Sequence, residues 1–174
     1  MKKDEAPITV LILCTGNSSR SILAEVLFND LGGERFLAHS AGSQPSGNVN
    51  PDALQKLADE GHRTDGLRSK SWDEFSGPGA PPVDIVITVC DSAAGESCPL
   101  WRGSPITVHW GIPDPARAST AEADAAFDLT YTQLRSRIEQ VIELPLESLD
   151  RRHWKDAFQR IHEAAQMREA IPET

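Results

Sequence analysis

Cys14 and Arg20 enclose a segment whose residue types suit the binding of an oxyanion. In CTGNSSR a cysteine and an arginine are separated by five residues, the apolar run ITVLIL precedes them at 8–13, and a helical pattern follows. A loop between a strand and a helix directs backbone N–H groups at an anion, and the helix N-terminus favours negative charge. The segment therefore predicts a loop that binds phosphate or arsenate.

Each position of this loop has an expected role. Gly16 permits an unusual backbone angle, Arg20 grips two oxygens of the anion, and Asn17 and Ser21 hold the loop in shape. The helix end lowers the pKa of the thiol, so Cys14 is expected to be the nucleophile. The expected substrate-binding residues are Thr15, Gly16, Asn17, Ser18, Ser19, Arg20 and Ser21.

Two further cysteines lie in a second region. Cys90 ends the apolar run DIVITVC at 84–90, and Cys98 lies in the loop beyond it. Reduced thiols favour redox, catalytic or metal chemistry, although a buried structural Cys90 and an incidental Cys98 remain alternatives. Zinc bound by Cys90, Cys98 and His109 is disfavoured because structural zinc sites use close cysteine pairs. His109 is interpreted as a hydrogen-bonded structural residue and is left out of the site.

Apolar periodicity places these residues in an alternation of strands and helices. The predicted strands are 8–13, 36–42, 84–90 and 105–110, and the predicted helices run from the loop to Leu31 and over 51–60, 121–144 and 148–168. This order predicts a parallel α/β sheet with its ligand at the carboxyl ends of the strands. All three cysteines lie at such ends or just after them.

Length and composition limit the function. A chain of 174 residues suits one domain, which we divide into a catalytic part, 1–144, and a C-terminal helical extension, 145–174, packed on it. The net charge of −9, with no stripe of Lys and Arg, argues against nucleic acid or an anionic membrane as partner. The apolar run at 8–13 is too short for a signal peptide or a membrane span, so we expect a cytoplasmic protein.

Residues 8 to about 143 resemble the low-molecular-weight protein tyrosine phosphatases and the arsenate reductases built on the same fold. The matching motifs are VLILCTGNSSRS at 10–21, HSAGS at 39–43, VITVCDSAAGESCP at 86–99 and HWGIPDPA at 109–116. The first motif is shared by both branches, and the last two resemble the reductase branch. The resemblance implies a single three-layer domain with a four-stranded parallel sheet, here with an extra C-terminal helix.

The resemblance also implies roles in the first chemical step. Cys14 is the nucleophile, Arg20 clamps the oxyanion, Ser21 donates a hydroxyl hydrogen bond to the thiolate, and Asp114 protonates the departing oxygen. A carboxyl group held by a loop proline and partly shielded from water retains a proton near neutral pH, as this role requires. A simple turn residue in IPDP is the alternative reading of Asp114.

A thiol relay follows by the same resemblance. Cys14 attacks arsenic, Cys90 attacks the Cys14 sulfur to release arsenite, and Cys98 displaces Cys14 to leave a disulfide with Cys90. Thioredoxin, or glutathione with glutaredoxin, would reduce that disulfide. Seven residues separate Cys90 from Cys98 where thioredoxin-coupled relatives commonly have six, and Ser19 replaces a second loop cysteine of several reductases.

No cofactor is required by this chemistry, although some family members bind potassium near the loop. The matching positions here are Asn17, Glu25, Ser40 and Asp73, for which ordinary loop hydrogen bonding is the alternative. The leading function is reduction of arsenate, with phosphate as a competitor. The alternatives are hydrolysis of phosphate monoesters through a Cys14 phosphoenzyme and a non-catalytic oxyanion or redox sensor.

Overall fold

The computed structural model describes residues 6–95 and 99–170, and in this part of the chain four strands form one parallel sheet. The strands are β1 (Ile8–Cys14), β2 (Phe36–Gly42), β3 (Ile85–Thr88) and β4 (Ile106–His109). Their order is β2-β1-β3-β4, and every pairing between them is parallel. The predicted parallel α/β sheet is therefore confirmed, with β1 in its interior.

Five α-helices connect or cover these strands in the described residues. They are α1 (Arg20–Gly32), α2 (Pro51–Asp59), α3 (Asp91–Ala94), α4 (Ala123–Ile142) and α5 (Trp154–Glu169). The short helix α3 was not predicted, because four residues are too few to show helical periodicity. The last helix begins six residues later than predicted, since the chain after Pro145 first forms turns and a 3₁₀ helix, Arg151–His153, capped by Asp150.

The two faces of the sheet are covered differently. Val10, Ile12 and Ile87 belong to the large core shared with residues of α1, α2, α4 and α5. Leu11 and Leu13, on the other face, pack in a smaller cluster with side chains from the connection between α2 and β3 and with Trp101. Both faces of β1 are therefore buried, which explains why its sequence is a continuous apolar run.

The extra C-terminal helix α5 packs on α4 and against β4. Trp110 Nε1 donates to Phe158 O at 3.2 Å, which joins the end of β4 to α5. Arg137 of α4 is buried and forms two bonds to Glu169 of α5, with Nη1 at 2.6 Å and Nη2 at 3.1 Å. Arg137 Nε also donates to Nδ1 of His162 at 3.0 Å. None of the described helices is long and apolar enough to span a membrane.

Candidate active site

The loop between β1 and α1 turns its carbonyl groups outward. Backbone N–H groups from the segment after β2 donate to Thr15 O (from Gln44, 3.0 Å), Gly16 O (from Ser46, 2.9 Å) and Ser18 O (from Asn50, 2.9 Å). In a planar trans peptide the C=O and N–H groups point in opposite directions. The N–H groups of Gly16, Asn17 and Ser19 therefore face the inside of the loop, where an anion would bind.

Asn17 sets the curvature of the loop. It has φ 46°, its Nδ2 donates to Ser21 Oγ at 2.9 Å, and its Oδ1 accepts the Lys70 N–H at 2.9 Å. Asparagine tolerates this left-handed conformation better than most residues. The expectation that Gly16 takes the unusual angle is wrong, because the positive φ lies one residue later and a Cβ at Gly16 would meet Ser18 Oγ at an ordinary 3.7 Å.

Gly42 is required by close approach rather than by its backbone angle. It is the last residue of β2 and pairs with Cys14 at the end of β1. A Cβ at this position would lie 2.3 Å from Thr15 O and 2.9 Å from Cys14 O. The absence of a side chain at residue 42 thus allows β2 to support the loop from behind.

A cavity of about 260 Å³ lies inside the loop. Cys14, Ser19 and Arg20 are among its lining residues, and Ser19 Oγ and Arg20 Nε are buried without a hydrogen-bond partner among the described residues. Buried donors normally have partners, so the two atoms indicate where an acceptor binds. Arg20 is already oriented, since its Nη1 donates to Ile112 O at 2.8 Å.

Cys14 and Cys90 are free, buried cysteines, and both line this cavity. They meet because β1 and β3 are neighbours, with Leu13 in register with Thr88. The neighbouring Cys14 thiol lowers the pKa of Cys90 to about 5, with further lowering by bonds from Thr15 and from the Ala93 N–H. Interaction with Cys90 and burial raise the pKa of Cys14, and the Arg20 guanidinium acts against them. The expectation that the helix end leaves Cys14 with a lowered pKa is therefore wrong for the ligand-free protein.

The polar neighbours of Cys90 favour the thiolate form of that residue. Thr15 Oγ1 lies 3.6 Å from Cys90 Sγ, and Ala93 N lies 3.4 Å from it. Arg20 and the inward N–H groups favour charge on Cys14 instead. Each of the two sulfurs thus has neighbours that can stabilise a thiolate.

Asp114 also lines the cavity. Its Oδ1 accepts the Ala116 N–H at 3.0 Å, which caps the 3₁₀ helix Pro115–Arg117. Its Oδ2 lies 3.6 Å from Arg20 Nη2 and 3.9 Å from Arg117 Nε. Asp114, the predicted acid, and Arg20, the predicted oxyanion clamp, thus lie next to each other. Asp114 also caps a turn, as the alternative interpretation of this residue expects.

The remaining predicted residues are placed as follows. Thr15, Gly16 and Ser18 line the cavity, and Ser21 is buried behind it, where its Oγ accepts from Asn17. A donor role for Ser21 toward the Cys14 sulfur stays a prediction. Cys98 lies outside the described residues.

Lys70 is a residue that the sequence patterns did not indicate. Its Nζ lies 3.6 Å from Glu25 Oε1 and 3.5 Å from Ser40 Oγ, and Glu25 Oε1 also accepts the Ser40 N–H at 2.9 Å. Burial raises the pKa of Glu25 and lowers that of Lys70, and the attraction between them acts against both shifts. An ammonium group therefore lies between two of the positions considered for potassium, while Asp73 lies in the separate 3₁₀ helix Trp72–Phe75.

His109 makes the structural contacts expected of it. Its Nδ1 lies 2.7 Å from Thr88 Oγ1, and its Nε2 lies 2.8 Å from Asp91 Oδ1. A Cβ at Gly111 would lie 2.9 Å from His109 Nε2, so residue 111 leaves room for this bridge. His109 thus ties the end of β3 to the residue that follows Cys90. The described residues contain no group of three or more His, Cys, Asp and Glu side chains that could hold a metal.

The fold and the site define an α/β protein with a cysteine at the head of an anion-binding loop. The sequence matches low molecular weight phosphotyrosine protein phosphatase over residues 9–155, and the chain belongs to that family. It is 30% identical over 136 residues to an arsenate reductase of Bacillus subtilis, covering 77% of this chain and 94% of that protein.

Two solved structures show the same likeness. An arsenate reductase in the phosphate binding state has a TM-score of 0.64 and 26% identity, covering 78% of this chain and 96% of its own. A low molecular weight protein tyrosine phosphatase from T. tengcongensis has a TM-score of 0.62 and 25% identity, covering 78% and 98%. Because the two scores nearly coincide, the backbone alone does not separate reductases from phosphatases.

Proposed function

We propose that this protein is an enzyme that reduces arsenate to arsenite with its own thiols. The observation that carries the proposal is a second free cysteine, Cys90, beside Cys14 in the lining of the anion cavity. A phosphatase needs one nucleophilic cysteine and a water molecule, whereas a reductase must supply two electrons. A second thiol beside the nucleophile meets that requirement.

Binding of the anion uses groups that are already in place. The inward N–H groups of the loop, Ser19 Oγ and the Arg20 guanidinium supply the donors, and the N-terminus of α1 adds a favourable partial charge. Arsenate and phosphate are nearly the same size and charge, so this loop hardly discriminates between them. We therefore expect inorganic phosphate to compete with arsenate.

The first chemical step joins Cys14 to arsenic. The Cys14 sulfur attacks arsenic, the arsenic–oxygen bond opposite it breaks, and the Cys14 proton passes to the Cys90 thiolate. Asp114 takes up a proton from water when the anion displaces it from Arg20, and gives that proton to the departing oxygen, which leaves as water. In the ligand-free state its carboxylate pairs with Arg20 at 3.6 Å, so the anion must displace this contact when it binds Arg20.

The second step reduces arsenic. The Cys90 sulfur attacks the Cys14 sulfur, a disulfide forms, and the electron pair of the broken sulfur–arsenic bond stays on arsenic, which leaves as arsenite. The proton on Cys90 goes to an arsenite oxygen. The two thiols thereby lose two electrons and As(V) gains them, so the step balances without a metal or a cofactor.

The disulfide must then be reduced by other thiols. Cys98 is proposed to attack it, with thioredoxin as the final donor. Glutathione with glutaredoxin is the alternative donor, and the choice between them is open to direct assay. A relay of this kind requires reduced thiols at rest, which supports the expected cytoplasmic location.

We also propose that the Lys70 ammonium takes the place of a potassium ion behind the loop. It neutralises Glu25, and its backbone N–H donates to Asn17, the residue that sets the loop's curvature. A second cation beside Glu25 and Ser40 would be repelled by this ammonium. Turnover is therefore expected to be the same in sodium and potassium buffers of equal ionic strength.

A steady-state assay tests the reductase against its two alternatives. The purified protein is given arsenate with thioredoxin, thioredoxin reductase and NADPH, or with glutathione and glutaredoxin, and arsenite is measured. Continuous arsenite formation that phosphate inhibits is the expected result. Rapid hydrolysis of a phosphotyrosine substrate without arsenite formation would establish the phosphatase, and binding of the anion without either turnover would establish the sensor.

A further inference from the structure

A second, larger cavity adjoins the anion cavity on the side of α5. Its volume is about 850 Å³, within the range of sites for small organic ligands. Arg20, Cys90, Asp114 and Arg117 line both cavities, whereas Cys14 lines only the smaller one. We call the larger cavity the α5 groove, because His162 and Gln166 of that helix form one of its walls. The family match ends at residue 155, where this helix has only begun.

His162 presents a hydrogen-bond donor in this wall. The guanidinium of Arg137 only donates, so His162 Nδ1, 3.0 Å from Arg137 Nε, must be the acceptor nitrogen of the ring. The ring proton therefore resides on Nε2. Burial and the charge of Arg137 support this state by lowering the pKa of His162 to about 4. His162 is only 4% exposed and lines the groove, and its Nε2–H group has no partner among the described residues.

The charged groups around the groove include both signs. Arg20 and Arg117 are the cations, Asp91 and Asp114 are the anions, and His109 lies between Thr88 and Asp91. Arg117 is 89% exposed, and its distance of 3.9 Å from Asp114 leaves it able to meet a ligand carboxylate. Asp91 directly follows Cys90 in the sequence. Its side chain is 95% exposed, and its carboxylate suits a ligand amino group. A zwitterionic ligand matches this distribution of charge.

We propose that the α5 groove binds a low-molecular-weight peptide thiol that carries carboxylate and amino groups, and presents its sulfur to Cys90. This inference rests on the proposed reductase function, and for its last step it names a small external thiol that reduces the disulfide directly, in place of Cys98 and thioredoxin. The ligand carboxylates meet Arg117, the His162 N–H and the Gln166 amide, and its amino group meets Asp91. The groove thereby makes α5 a determinant of which thiol reduces the enzyme.

The reaction is thiol–disulfide exchange at a defined sulfur. The donor thiolate attacks the Cys90 sulfur of the disulfide with Cys14, because Cys90 faces the groove and Cys14 does not. Cys14 leaves as a thiolate, which Arg20 and the loop N–H groups stabilise. A second donor thiol then attacks the mixed disulfide and frees Cys90, so two thiols become one external disulfide and both cysteines are restored.

The test uses full-length protein carrying Cys98→Ser, so that only Cys14 and Cys90 can form a disulfide. The disulfide is formed with arsenate in one sample and with the thiol oxidant diamide in another. The rate of its reduction is then measured with glutathione, with uncharged 2-mercaptoethanol and with reduced thioredoxin. The glutathione rate is expected to saturate with concentration, and the mercaptoethanol rate is expected to rise linearly.

Gln166→Glu places a negative charge in the groove wall, and Met167→Glu is the matched control. Met167 is the next residue of α5, is 73% exposed, and does not line the groove. Gln166→Glu should slow reduction by glutathione about tenfold, with no change for mercaptoethanol, and Met167→Glu should change neither. The test also includes Gln166→Trp, which should fill the groove and slow glutathione further.

Equal rates of reduction by glutathione in Gln166→Glu and Met167→Glu would overturn the groove proposal. It would also be overturned if Gln166→Glu slowed reduction by mercaptoethanol as much as reduction by glutathione. Slowing of thioredoxin but not glutathione by Gln166→Trp would assign the groove to a protein donor and also overturn it. Failure of arsenate to yield one arsenite and the disulfide would refute the reductase function instead. The sample oxidised with diamide still reports on the groove in that case, so the two failures are distinguishable.

Discussion

The two cysteines of the site lie in regions that are held very differently. Around Cys14, three loop carbonyls accept N–H groups from the segment after β2, and both polar atoms of the buried Asn17 amide are bonded. Around Cys90, β3 has already ended, α3 is only four residues long, and Asp91 is 95% exposed. Regions with fewer buried contacts and hydrogen bonds open at lower free energy.

The difference matches what the two sulfurs must do. The nucleophile has to meet an anion whose position is fixed by N–H groups, so its surroundings are rigid before binding. The second sulfur has to attack the Cys14 sulfur and then receive another thiol, so its backbone must adopt more than one position. The reaction therefore requires both a rigid loop around Cys14 and a more mobile strand end at Cys90.

The largest expected effect comes from removing either sulfur. Cys14→Ser should lower arsenate turnover by about 10⁴-fold or more, the scale of losing a catalytic nucleophile. Cys90→Ser should lose multiple turnover to a similar extent but still bind the anion, because Cys90 is needed only after arsenic has been attacked. Steady-state rates and phosphate binding by calorimetry separate the two variants. Wild-type turnover in either folded protein would refute its role.

Asp114→Asn should have the next largest effect. Asparagine keeps the shape of the 3₁₀-helix cap but has no proton to give to the departing oxygen. The first step should slow by about 10²- to 10⁴-fold, while the affinity for phosphate changes little. Rapid-quench measurement of Cys14 modification gives this rate directly. A rate within a few-fold of wild type would leave Asp114 with only its turn-forming role.

Lys70→Met tests whether the rigid region depends on its buried ion pair. The change leaves Glu25 buried without a positive partner, which costs about 3–5 kcal/mol of unfolding free energy. Lys70→Met/Glu25→Gln should recover most of that loss, because it removes the unpaired charge. Urea unfolding followed by circular dichroism measures both variants. Equal stability of the single variant and the wild type would show that the pair does not support the loop.

His162, in α5, supplies the smallest expected effect. Its pKa is lowered in the folded state from an ordinary 6.5 to about 4. Between these two values His162 is therefore protonated in the unfolded chain and neutral in the folded chain. Unfolding free energy should therefore fall between about pH 6.5 and pH 4. His162→Gln should flatten this part of the stability profile. An unchanged profile would mean that other groups cause the loss.

Sequence patterns predicted the parts of the molecule that depend on local order. The strand at 36–42 has the predicted bounds, and the loop between β1 and α1 lies where the C-x5-R pattern placed it. Lys70 was not predicted, because its contacts with Glu25 and Ser40 join residues far apart in sequence. The positive φ of Asn17 was assigned to Gly16, since a glycine offers the conformation without requiring it.

The nearness of Cys14 and Cys90 was only partly predictable from the sequence. Alternation of strands and helices brings the carboxyl ends of neighbouring strands together, so nearness was predictable. The position of the Cys90 sulfur in the cavity wall was not, because it depends on the contacts of that sulfur with Thr15 and the Ala93 N–H. Those contacts follow from the turn into α3, which has no pattern of its own in the sequence.

The central claim is tested most directly by one turnover without any reductant. Cys98→Ser protein is mixed with one equivalent of arsenate, quenched in acid, alkylated and digested, and its peptides are mapped by mass spectrometry while arsenite is counted. The prediction is one arsenite per chain together with a disulfide between Cys14 and Cys90. Arsenite without that disulfide, or the disulfide without arsenite, would contradict the proposed transfer of two electrons from this pair.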